Sequence, residues 1–135
     1  MPELPEVEVV KRSLEKKMLN LIIKKVKIND GNLRYKVKKQ EISKLIGLKI
    51  KKIKRRSKFL IFKTNKDLLM LIHLGMTGKF FFVNKKNKKL KTSFYYELID
   101  EKKEQKHDRV IFFFKDKQKL IFNDIRKFGF IKFYN

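Results

Sequence analysis

The chain has no cysteine and only two histidines, His73 and His107, in 135 residues. No disulfide staples it and no set of thiolates can hold a structural zinc, so neither a metal site nor any other cofactor is expected in it. Acidic residues are scarce, with 14 Asp and Glu set against 37 Lys and Arg, for a formal net charge of +23. A compact body with that excess repels itself unless a polyanion neutralises it, which points to nucleic acid. A membrane surface is the competing polyanion, but the basic residues are spread through strand-like segments and do not line one amphipathic helix. The longest apolar runs, such as Leu68–Leu74, are too short to span a bilayer. The N-terminus opens with acidic residues where a signal peptide would be basic, so the expected compartment is the cytoplasm. Repeats and Gly/Ser linkers are also missing, which predicts one domain over residues 1–135. The Lys, Asn, Ile and Phe bias is equally what an AT-rich genome writes, and charge alone identifies no function.

What is abundant is apolar and aromatic: 42% hydrophobic and 13 Phe, enough for a globular domain with a phenylalanine-rich core. Pro2 and Pro5 fit a first helical turn, Glu3, Glu6 and Glu8 suit the positive end of its dipole, and Val10, Leu14 and Met18 recur at helical spacing. A helix is predicted over 3–18. Alternation follows in Leu21–Ile28, then a turn at Asp30-Gly31-Asn32. A second helix is predicted from Glu41 to Ile46, stopping at Gly47. Beyond it the β-rich blocks are Leu48–Ile53, Phe59–Lys63, Leu68–Leu74, Lys79–Val83, Phe94–Ile99, Val110–Lys115, Lys119–Phe122 and Phe130–Phe133. Asn84–Lys91, nearly all Lys and Asn, reads as a solvated loop. The whole is α+β but mainly β, a two-sheet β-sandwich flanked by two helices. Its last strand runs straight into the C-terminus, as in a fragment or a shortened protein.

The opening Met1-Pro2-Glu3-Leu4-Pro5-Glu6 carries a chemical possibility. An initiator methionine before proline is normally removed, which exposes a secondary amine able to form an iminium ion with a sugar C1′. Such chemistry needs a carboxylic acid nearby to protonate the opening ring or the departing base, and Glu3 is adjacent, with Glu6 one turn on. A proline at a helix start with glutamates favouring its dipole explains the same residues with no chemistry at all.

This opening resembles the N-terminus of the formamidopyrimidine-DNA glycosylase family, and the leucine in Pro-Glu-Leu-Pro-Glu is similar to that branch rather than to endonuclease VIII. Four further motifs follow in the family's order. They are Arg55-Arg56-Ser57-Lys58-Phe59-Leu60, His73-Leu74-Gly75-Met76-Thr77-Gly78, Lys106-His107-Asp108 and Asp124-Ile125-Arg126-Lys127-Phe128-Gly129. The resemblance covers the whole chain but only the first of two family domains. The helix-two-turn-helix element and the C-terminal zinc finger, with its metal, would be absent.

The resemblance implies that Pro2 is the Schiff-base nucleophile, Glu3 the proton donor and Glu6 a supporting carboxylate. It makes Lys58 the proton donor for β-elimination and a phosphate contact. His107, and more weakly His73, would touch DNA; His73 borders an apolar run and is equally a candidate hydrogen-bonded core residue. An enzyme that flips a nucleotide out of a duplex must fill the hole, and Met76, Arg126 and Phe128 match the family's void-filling trio. As isolated residues in a Phe-rich chain, Met76 and Phe128 would be read as core. Ile125 and Lys127 depart from the family's usual proline and arginine. The implied activity is that of a monomeric glycosylase and abasic-site lyase in base excision repair, acting on oxidised purines such as 8-oxoguanine and formamidopyrimidines in double-stranded DNA. Its rivals are an inactive DNA-binding remnant of that family and a small basic nucleic-acid scaffold.

Overall fold

The helical period of the first residues produces α1 (Leu4–Met18) in a computed structural model that describes residues 4–86, 89–91 and 105–135. Val7, Val10, Leu14 and Met18 lie on one stripe and are at most 2% exposed. Burying a side chain of this size contributes roughly 1.5–3 kcal/mol, so this stripe, rather than helix propensity, holds α1 in place. The stripe packs on β2 (Ile50–Arg56), β3 (Phe59–Thr64) and β5 (Gly78–Val83). On the polar side Lys11 sits between Glu8 and Glu15, at 3.7 and 3.2 Å.

The other strands are β1 (Ile23–Ile28), β4 (Leu69–His73), β6 (Lys89–Lys91), β7 (Asp108–Phe114), β8 (Lys119–Asp124) and β9 (Phe130–Tyr134). They build two antiparallel sheets, one ordered β1-β7-β8-β5-β6 and the other β2-β3-β4-β9. Side-chain alternation sets which face is inward: in β3, Leu60 and Phe62 are fully buried while Phe59 and Ile61, which alternate with them, are half-buried on the outside. Between the sheets lie the rings of Phe62, Phe80, Phe82, Phe112 and Phe122, and Phe62 of one sheet meets Phe80 of the other at 6.1 Å between centroids. The β-sandwich and the phenylalanine core are therefore as expected. The chain changes sheet at residues 74–77, between β4 and β5, and changes back at 125–129, between β8 and β9.

Two expectations need correction. The second helix, α2 (Lys39–Ile42), starts earlier than Glu41 and tightens into a 3-10 turn at Ser43–Leu45, because only Ile42 and Leu45 need to be buried there. Gly47 does take the positive φ anticipated, 89°. The Asn84–Lys91 loop ends in strand, since Lys89–Lys91 pairs with Phe81–Val83 and satisfies backbone groups along the edge of β5 that the lysine content concealed. The predicted Phe94–Ile99 strand lies outside the described residues.

Candidate nucleic-acid interface

The first part of the site is the β2–β3 turn. Arg56 pairs with Phe59, leaving Ser57 and Lys58 as the two-residue turn, and Ser57 takes a φ of 54°. Arg55, at the end of β2, donates from Nε to Glu8 Oε1 at 2.8 Å and from Nη1 to the Ser57 carbonyl at 3.1 Å. The Arg55 guanidinium, more than Arg12 and Lys11, holds the Glu8 carboxyl below its ordinary range. Thus α1 is tied to the turn that carries Lys58 about one helical turn from the start of the helix. Glu6 is half-buried in that first turn, and Pro2 and Glu3 lie outside the described residues.

His73 ends β4 in a row of rings set by strand register, opposite Phe59 on one side and Phe130 on the other. It stacks on Phe130 at 5.4 Å and meets Phe59 edge-on at 4.9 Å. Its Nδ1 accepts the Gly75 N–H at 2.9 Å, which places the proton of the neutral ring on Nε2. Desolvation first, then the charges of Arg34 and Lys58, push its pKa below the usual histidine value. His73 is thus both half-buried and hydrogen-bonded, and it shares the electrostatic neighbourhood of Lys58.

Beyond His73 the two sheet-crossing segments are sewn together by Asp124, which is fully buried. Its carboxylate accepts the Thr77 hydroxyl at 2.6 Å, the Lys127 N–H at 3.2 Å and the Gly129 N–H at 2.9 Å. Thr77 Oγ1 in turn accepts the Arg126 N–H at 2.9 Å. Gly75, at φ 62°, makes the close approach possible: a Cβ there would sit 2.6 Å from the Gly129 nitrogen. The side chains left outside this clamp are Met76, Ile125 and Phe128, 43%, 41% and 44% exposed, with the Arg126 guanidinium 5.0 Å above the Phe128 ring. Hydrophobic residues this exposed on rigidly held loops are not core, so Met76 and Phe128 do not follow the default for isolated apolar residues.

Behind the loop lies Arg109, almost wholly buried. It donates from Nε to the Asp124 carbonyl at 2.8 Å and from Nη2 to the Ile125 carbonyl at 3.3 Å, and pairs through Nη1 with Asp30 at 3.3 Å. Its Nη2 is also 3.3 Å from Nδ1 of His107, in the 3-10 turn Gln105–His107. Lys127, at φ 60°, reaches Asp30 at 2.6 Å. That ammonium, with the Asn32 N–H and the Arg109 charge, holds the Asp30 carboxyl below the ordinary carboxylate range. Among the described residues no group of three His, Cys, Asp or Glu is placed to hold a metal ion, and no helix is long and apolar enough to cross a membrane.

Four separate motifs thereby fall on linked loops, with α1 tied to the first of them through Glu8, and comparison with known proteins gives the family. The family described as formamidopyrimidine-DNA glycosylase N-terminal domain matches residues 1–131. The chain belongs to the formamidopyrimidine-DNA glycosylase family. The formamidopyrimidine-DNA glycosylases of Rickettsia africae and Rickettsia peacockii are each 42% identical over 131 residues, 97% of this chain. The match spans 42% of the length of those relatives. The fold agrees with that of Lactococcus lactis Fpg in complex with abasic-site DNA, with a TM-score of 0.78 and 31% identity over 98% of this chain and 43% of that one. The same protein with N7-benzyl-Fapy-dG DNA gives a TM-score of 0.79 at 32% identity, over 98% of this chain and 44% of that one.

Within this glycosylase-family domain, Lys58 and His73 are electrostatic neighbours, and Met76, Arg126 and Phe128 share one clamped ridge to which His107 is joined through Arg109. Asp124, Thr77, Arg109, Asp30 and the Glu8–Arg55 pair were not singled out in the sequence. Asp124 and Thr77 stand inside the Asp124–Gly129 and His73–Gly78 motifs, and Arg109 directly follows Lys106-His107-Asp108, so adjacency to a motif is the signal they carry. Nothing in the sequence marks Asp30 as the partner of a residue 79 positions away.

Proposed function

We propose that this chain is the catalytic domain of a bifunctional DNA glycosylase and abasic-site lyase that removes oxidised purines, 8-oxoguanine and formamidopyrimidines, from duplex DNA. The observation that carries this reading is the clamped ridge of Met76, Arg126 and Phe128: apolar surface that a monomer in water has no use for, joined to His73 and His107 and framed by a strongly basic chain. A flipped nucleotide leaves a hole in the base stack, and such a ridge can fill it while the guanidinium of Arg126 meets the unpaired base.

In the proposed chemistry the Pro2 amine, freed by loss of Met1, attacks C1′ of the damaged nucleotide. The C1′–N bond breaks with its electrons going to the base, the C1′–O4′ bond then opens as the amine nitrogen forms the C=N bond, and the proton lost from the amine together with one from Glu3 serves the leaving base and the ring oxygen. The resulting iminium makes a C2′ proton acidic; its loss expels the 3′ phosphate, with Lys58 relaying a proton and contacting phosphate, and water then frees the amine. Glu6 supports the carboxylate environment. The steps are redox-neutral and need no cofactor. The setting would be the bacterial cytoplasm, with the protein monomeric on DNA.

Borohydride trapping on a duplex bearing an abasic site, or 8-oxoguanine opposite cytosine, tests this at low salt, where phosphate contacts are strongest. A covalent adduct that disappears when the N-terminus is acetylated is the expected result. The rival reading is a domain that binds damaged DNA but does not turn over. Lesion-selective binding without an adduct, from folded chain shown to lack Met1, would establish that reading instead.

A further inference from the structure

Arg109 has no place in the chemistry above, yet it is 7% exposed and touches both the wedge loop and the histidine turn. A guanidinium stays charged at any pH a protein meets and has donors only. The His107 Nδ1 that faces Arg109 Nη2 at 3.3 Å must therefore present its lone pair, and the neutral ring carries its proton on Nε2. The same Nη2 lies 3.3 Å from the Ile125 carbonyl, at the root of the wedge. His73 reaches the same state by another route, since its Nδ1 accepts the Gly75 N–H.

We propose that Arg109 is a positioning residue that joins the two halves of the DNA contact, fixing His107 as an Nε2–H donor to a backbone phosphate while bracing the loop that carries Arg126 and Phe128. The role of phosphate and lesion here rests on the glycosylase reading; the tautomer and the brace do not. Asp30 balances the buried charge at 3.3 Å, and the Asp124 carbonyl fixes the guanidinium plane through Nε at 2.8 Å. Lysine cannot substitute, because one ammonium has no fork with which to meet four acceptors in different directions.

The test has two arms. Two-bond proton–nitrogen spectra of the free chain, at about pH 8 where histidine is neutral, should show His107 as the Nε2–H tautomer, and in Arg109→Lys a mixture of both. Fluorescence anisotropy should show Arg109→Lys losing roughly tenfold of its preference for an abasic-site duplex over an intact one, equivalent to about 1.4 kcal/mol, with a smaller change in affinity for intact DNA. An Nδ1–H tautomer in the wild-type chain, an unchanged tautomer in the variant, or full lesion preference in the variant would overturn the proposal. The wild-type spectrum decides even if Arg109→Lys does not fold. If the wild-type chain shows no lesion preference, that failure falls on the glycosylase reading, and the DNA-free spectrum still decides for or against the Arg109 assignment.

Discussion

Replacing Asp124 with alanine removes the acceptor of three hydrogens at once, those of the Thr77 hydroxyl, the Lys127 N–H and the Gly129 N–H. Only the Gly129 bond is fully buried, so that donor bears the whole cost of being left unsatisfied, about 1–3 kcal/mol; each of the other two bonds contributes about 0.5–1.5 kcal/mol net. Removing a buried carboxylate gives some of this back through relief of its desolvation. The balance is a loss of about 2–4 kcal/mol, which for a domain of this size lowers Tm by roughly 10 °C. Asp124→Asn should cost far less, about 1 kcal/mol. Its amide in place of Oδ1 can donate to Thr77 Oγ1, its oxygen still accepts from Gly129, and only the Lys127 bond is lost. Thermal and urea melts of both variants read the difference directly. Equal losses for Asn and Ala, or a loss under about 1 kcal/mol for Ala, would refute the claim that this carboxylate organises the loops.

Stability should also fall as pH drops below about 6.5, because His73 is held below its unfolded pKa and the unfolded chain takes up that proton first; urea melts of His73→Gln should be flatter across this range. Glu8 has the opposite chemistry but the same sign: its depressed pKa gives stability present above about pH 4.3 and lost as pH falls through the folded value, and Glu8→Gln should remove that part of the acid sensitivity in the same melts. Phe128→Ala should leave the melting curve within about 0.5 kcal/mol of wild type, since the ring is 44% exposed, while weakening binding to an abasic-site duplex in anisotropy titrations. A large stability loss would return Phe128 to the core.

The fold was readable wherever one face of an element is buried. The 3.6-residue period of Val10, Leu14 and Met18 and the two-residue period of Phe59–Lys63 are direct imprints of a one-sided environment. It was not readable at Lys89–Lys91, where pairing is driven by the backbone of β5 and the side-chain composition resembles a loop. For the site, Lys58, Met76, Arg126 and Phe128 were legible through the family resemblance of their motifs, since composition alone would have put Met76 and Phe128 in the core. The brace was hidden because its partners come from register: Asp108 pairs with Asn123, and only that alignment brings Arg109 under the Asp124 and Ile125 carbonyls.

The ridge lies where the chain passes between the sheets, once on each of two neighbouring segments, and those segments are bonded to each other. A loop hinged on a single hairpin would recoil under the restoring force of a duplex closing on it. Here such a load enters both layers together and must shear the phenylalanine interface between them before the ridge can retreat. The compliance of the ridge thereby follows the packing behind it, so that thinning the buried core at Phe80 or Phe122, whose ring would come within 3.2 Å of a Cβ on Gly129, should soften the tip.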